Sequence, residues 1–134
     1  MARPTPTDVL LVVTGPPFAS DLTTTVLRLL DELLRRGSTV RVWTCGYAVM
    51  LTQLALGDAK PRDVEDWERR HPSTARLVAG LAAEYPEQLG WESCTFCNED
   101  RGAGPHLDFV RLRAPSRLGS NTASARRTLY LGGA

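Results

Sequence analysis

The stretch from Val9 to Val42 limits the fold more than any other. Val9-Leu10-Leu11-Val12-Val13 is a continuous apolar run rich in β-branched residues. A run of that length, closed by Gly15-Pro16-Pro17, reads as a strand buried on both faces, as parallel strands are. The Gly-Pro-Pro sequence forces a turn, because proline fixes φ and glycine relaxes it. Ser20 or Asp21 then caps a helix. Its apolar positions are Leu22, Val26, Leu29, Leu30, Leu33 and Leu34, a stripe at the helical period. Asp31 with Arg35, and Glu32 with Arg36, form i,i+4 pairs on the other side, and Gly37 stands where a helix C′ glycine belongs. Thr39 to Cys45 is a second strand, with Val40 and Val42 on one face. Strand, helix and strand within about forty residues make a βαβ unit, so the sheet is expected to be parallel with right-handed crossovers.

The rest of the chain continues this pattern. Gly46 breaks the second strand, and Tyr47 to Leu56 reads as a mostly apolar helix. Residues 58–72 form a charged insertion, in which Pro61 can start a short helix and Trp67 is the single anchor among Asp63, Glu65, Asp66, Glu68, Arg69 and Arg70. Ser73 caps a helix to about Tyr85, with Leu77, Val78, Leu81 and Tyr85 facing inward, and Pro86 ends it. Leu89 to Ser93 is a third strand leading into Cys94. Asp108 to Leu112 is a fourth, Ser116 to Arg126 a loop or weak helix, and Thr128 to Leu131 a last strand. The expected architecture is a single three-layer α/β domain over residues 1–134 with a loose arm at 1–7.

Composition excludes several functions. The chain of 134 residues can bury one core, and its formal net charge of +1 gives no reason to expect nucleic acid or an anionic membrane as partner. Lys60 is the only lysine, and the arginines are spread along the chain rather than gathered in a stripe. Val9 to Thr14 is too short to span a bilayer, and Met1 to Asp8 lacks the basic and long apolar regions of a secretory signal. The expected location is the cytoplasm. Three cysteines there point to reduced thiols rather than a disulfide scaffold.

Two of those cysteines lie in Trp91-Glu92-Ser93-Cys94-Thr95-Phe96-Cys97-Asn98-Glu99-Asp100-Arg101-Gly102. Cys94 falls at the carboxyl end of a strand, where parallel α/β sheets place their sites. If the next turn is helical, its free N–H groups and dipole favour a thiolate, and would equally favour a persulfide anion. Arg101 can add positive charge by folding back. Cys97 is the second thiol, and Cys45, at the end of a core strand, reads as a small buried hydrophobe outside the site. A structural zinc site is not expected, since one CxxC has only His71 and His106 as helpers, at no recognised spacing. A thioredoxin-type CxxC follows an early strand, unlike this one. A cysteine hydrolase needs an oriented histidine, and His71 and His106 read as surface residues. Gly15-Pro16-Pro17 is no phosphate loop, because proline removes the amides such a loop uses. Neither a metal nor another cofactor is expected.

Val12-Val13-Thr14-Gly15-Pro16, the long helix, Gly37 and Val40-Arg41-Val42-Trp43 resemble the opening of the DsrE/DsrF-like family, nearest to its TusD-type sulfurtransferase subunits. Cys94 stands eight residues before Gly102 of an Arg-Gly pair, as in those members, and Cys97 matches the Cys-x-x-Cys run of related DsrE-like proteins. The Cys94–Cys97 pair itself departs from the TusD pattern. The resemblance implies a parallel five-strand sheet flanked by helices, homo- or hetero-oligomers, and persulfide transfer to or from a small sulfur-carrier protein. The expected roles are Cys94 as nucleophile and persulfide carrier, Cys97 as resolving thiol and Arg101 as anion stabiliser. The rivals are a binding or scaffolding subunit without catalysis, and a CxxC redox switch.

Overall fold

The computed structural model describes residues 5–59, 68 and 70–132. Five strands, β1 (Thr7–Val13), β2 (Val40–Thr44), β3 (Leu89–Cys94), β4 (Val110–Arg113) and β5 (Ala125–Leu131), form one sheet in the order β4-β3-β2-β1-β5. Every pairing is parallel. Four helices connect them: α1 (Leu22–Arg35), α2 (Thr74–Glu84), α3 (Thr95–Asp100) and α4 (Arg117–Ser124). The expected α/β architecture with a five-strand parallel sheet is therefore present. The first strand begins earlier than its apolar run, so Thr7 belongs to β1 rather than to a loose arm.

One face of the sheet carries the main core. Val9, Leu11, Val13, Val40, Val42, Leu89, Trp91 and Val110 pack there against Val26, Leu30 and Leu34 of α1 and Val78 of α2. Burying each such Leu or Val contributes roughly 1.5–3 kcal/mol relative to exposure. Helix α1 ends as its sequence suggests. Gly37 adopts φ 84°, its N–H donates to Leu34 O at 3.0 Å, and the Ser38 N–H donates to Leu33 O at 3.1 Å. That is a Schellman closure, which an L side chain at position 37 would strain. The ion pairs Asp31–Arg35 and Glu32–Arg36 both form on its exposed side. At the start of α2 the Arg76 N–H donates to Ser73 Oγ at 3.1 Å, a true N-cap.

Two sequence readings need correction. Residues Tyr47 to Leu56 do not form an α-helix. They form two 3₁₀ segments, Gly46–Thr52 and Leu54–Leu56, separated by extended Gln53. Gln53 bridges antiparallel to His106, and the Leu54 and Leu107 N–H groups donate to Pro105 O and Thr52 O. These bonds to a distant loop replace the i→i−4 bonds that an α-helix would make. Leu77, expected to face inward, is exposed, while Thr74, Ala75 and Val78 form the buried stripe of α2. The middle of the charged insertion, Trp67 and Pro61 included, lies outside the described residues. Its ends meet where Ala59 pairs with Pro72 and the Ser73 N–H donates to Asp58 O.

Candidate functional site

The opposite face of the sheet is built differently. Leu10, Val12, Trp43 and Cys94 form a second, smaller buried cluster, with Leu118 of α4, Cys45 and Cys97 packed against it. Strand alternation explains the membership: Trp43 and Cys45 share a face, and so do Glu92 and Cys94. The β2–β3 register sets Thr44 beside Ser93, which brings Cys45 alongside Cys94 at the carboxyl ends of two neighbouring strands. Cys97 approaches from the first turn of α3. The three Sγ atoms all lie within 4.8 Å of one another. All three are free thiols, Cys94 buried and the other two half-buried.

Cys45 was expected to stand apart as core filling, and the fold instead makes it the third member of the group. The usable signal was positional. A residue one step beyond the end of β2 on the Trp43 face must neighbour a residue at the end of β3 on the same face.

The stabilising contacts also differ from the expectation. Cys94 is the N-cap residue of α3, yet its side chain makes no capping hydrogen bond. The donors go to its neighbours: the Gly46 N–H donates to Cys97 Sγ at 3.3 Å, and the Trp43 indole N–H donates to Cys45 Sγ at 3.2 Å. Burial pushes the Cys45 thiol up from its ordinary pKa, and the two other sulfurs add to that, while the indole N–H opposes it. The Arg101 guanidinium lies 4.7 Å above the centre of the Tyr47 ring and pairs with Asp100 at 3.1 Å. Its partners are thus the ring and the carboxylate at the rim.

Asn98 anchors the cysteine turn from beneath. Its Nδ2 donates to Cys94 O at 2.7 Å and to Ser93 Oγ at 2.8 Å. With both amide hydrogens engaged, its Oδ1 accepts from His106 Nε2, leaving Nδ1 to accept from Thr52 Oγ1 at 2.9 Å. Both ring nitrogens of His106 are therefore occupied, and the half-buried ring is a strut rather than a surface group or a base for a thiol. Burial holds its pKa below the usual histidine value.

Positive charge gathers on the thiol face. The buried carboxylate of Glu92 lies 4.0 Å from Arg41 Nε, 3.4 Å from Arg113 Nε and 3.9 Å from Arg117 Nε. Asn121 Nδ2 donates to it at 2.6 Å. Arg113 is the register partner of Cys94 across β3 and β4. Burial is the first cause lowering the Arg41 pKa, Arg117 and Arg113 lower it further, and Glu92 opposes them. Arg41 and, far along the chain from it, Arg113 and Arg117 thus share one carboxylate beside the thiols, a concentration that the sequence reading missed.

No family model and no curated protein matches the chain. Among solved structures, the chain is similar to the YchN protein from E. coli, with a TM-score of 0.73 and 22% sequence identity, over 92% of this chain and 98% of that one. The five-strand parallel sheet with its flanking helices is the DsrE-like fold, as the DsrE/DsrF resemblance implied.

Proposed function

We propose that the protein is a sulfur-relay protein that carries sulfur as a persulfide on Cys94 and passes it to an acceptor thiol. The observation that carries this reading is the convergence of three free thiols within 4.8 Å at the carboxyl ends of β2 and β3. The Cys94 thiolate attacks the outer sulfur of a donor persulfide; the new S–S bond forms as the donor thiolate leaves. The persulfide then rests among Leu10, Val12 and Trp43, away from water. An acceptor thiolate takes the outer sulfur and regenerates the Cys94 thiolate.

Alternatively, the Cys97 thiolate attacks the inner sulfur. That step forms a Cys94–Cys97 disulfide and releases the outer sulfur as hydrosulfide with one proton. The half-buried Cys45 and Cys97 provide the path between Cys94 and solvent. Arg101 stabilises the anion from the rim beside Tyr47. The proposed partners are a persulfidated donor and a small sulfur-carrier protein, and the working form is a homo- or hetero-oligomer of DsrE-like subunits acting as a sulfurtransferase in the cytoplasm. Among the described residues no helix is long and apolar enough to cross a membrane.

Incubation with a donor carrying radiolabelled persulfide sulfur tests the reading. Wild-type protein is expected to gain label and the mass of one sulfur atom, and Cys94→Ser to gain neither. Equal labelling of Cys94→Ser and wild type would refute the role of Cys94. The same proximity supports a second reading, a thiol redox switch. It requires a stable Cys94–Cys97 disulfide under mild oxidation in a protein that takes up no sulfur.

A further inference from the structure

We propose that the three thiols also constitute a three-coordinate site for Cu(I). The inference uses the proposed relay thiols but does not depend on sulfur transfer. Thiolates bind a d¹⁰ cation such as zinc at about 2.3 Å, so three sulfurs around one trigonal ion stand about 4 Å apart. The observed separations, all within 4.8 Å, reach that geometry by side-chain movements below about 1 Å.

The donor set selects the ion. It is all sulfur, which suits soft Cu(I). A structural zinc ion requires a fourth ligand. Among the described residues no histidine or carboxylate joins the group, and His106 is engaged through both nitrogens. The N–H groups of Trp43 and Gly46 already point at two of the sulfurs and orient them, as outer-sphere donors do.

Charge fits as well. Binding converts three thiols and Cu(I) to a tris-thiolate complex and releases three protons to solvent, with no change of oxidation state. The complex is doubly negative. The cluster of Arg41, Arg113 and Arg117 around Glu92 is doubly positive, and lies on the same sheet face with Arg113 paired to Cys94 in register. In a partly buried setting such a match offsets much of the cost of desolvating the anion.

The test is an anaerobic titration of the reduced full chain with Cu(I), in competition with bathocuproine disulfonate. Wild type is expected to hold one Cu(I), with an X-ray absorption spectrum of three sulfur ligands. Cys45→Ser and Cys97→Ser, each removing one sulfur, are expected to weaken binding by more than about 100-fold, beyond the usual reach of outer-sphere changes. Arg113→Gln is expected to weaken it by about 10-fold with one ion still bound. Arg113→Gln keeps all three thiols and is expected still to accept labelled sulfur while holding Cu(I) more weakly, so loss of copper affinity and loss of relay are separable. Unchanged Cu(I) affinity in both cysteine variants, failure of wild type to compete with the chelator, or displacement of Cu(I) by equimolar Zn(II) overturns the proposal.

Discussion

Strand β3 shows the two faces of the sheet in alternate residues. Leu89 and Trp91 turn toward α1 and α2 and join an apolar core. Glu92 and Cys94 turn toward α4, into arginines and thiols. The first face is covered by helices of fourteen and eleven residues, the second by one of eight. Stability on the first face comes from removing apolar surface from water, which no particular partner has to be present to complete. On the second face a smaller apolar cluster is joined by one carboxylate answering three guanidiniums. The lesson is that a sheet can assign cohesion to one side and chemistry to the other, with the parity of each strand residue deciding which task it serves.

Substitutions can break the comparison. The largest effect is expected from Leu30→Ala on the first face. Leu30 is completely buried, so the cavity is expected to cost about 4 kcal/mol in urea unfolding, with little dependence on salt. Glu92→Gln on the second face is expected to cost about 3 kcal/mol, because it leaves partly buried arginines without their counter-charge. Added salt should recover part of that loss by screening the guanidiniums. A Glu92→Gln loss below about 1 kcal/mol, or one indifferent to salt, would mean that the two faces do not differ in kind.

The smallest effect sharpens the boundary between them, at the strut beneath Cys94. The folded-state pKa of His106 lies below its unfolded value of 6.5. Its contribution is therefore present above the unfolded pKa and is lost as pH falls through the folded one. Wild-type stability should decline as the solution is acidified from neutrality, and His106→Gln should flatten that decline. An identical acid profile in the two proteins would exclude the neutral strut.

The elements most readable from sequence were those whose signals are local. The apolar run of β1, the helical stripe of α1 and Gly37 each carry their own explanation, and Cys94 falls at the strand-to-helix junction because Gly90, Trp91 and Ser93 lead into it. The misread features all depend on partners far along the chain. Gln53 is drawn out of a helix by the loop at His106, some fifty residues away. Cys45 becomes a neighbour of Cys94 only through the register of β2 on β3. Arg41, Arg113 and Arg117 looked dispersed because strand order, not spacing in the sequence, gathers them round Glu92. Periodicity reports which face a residue takes, and only topology reports what stands beside it.

The sheet order has a kinetic consequence. β1 pairs with β2 soon after it in the chain, but its other neighbour is β5, with Thr7 in register with Ala125. Closing that pairing carries the largest loop-closure entropy in the molecule, and such non-local contacts form slowly. Strands β2 and β3, at whose carboxyl ends the three thiols meet, are adjacent in the sheet without it, whereas α4, which brings Leu118 over them, is tethered directly to β5. By loop-closure entropy the sulfurs are expected to come together before they are covered, and pulsed alkylation of the thiols during refolding checks that order.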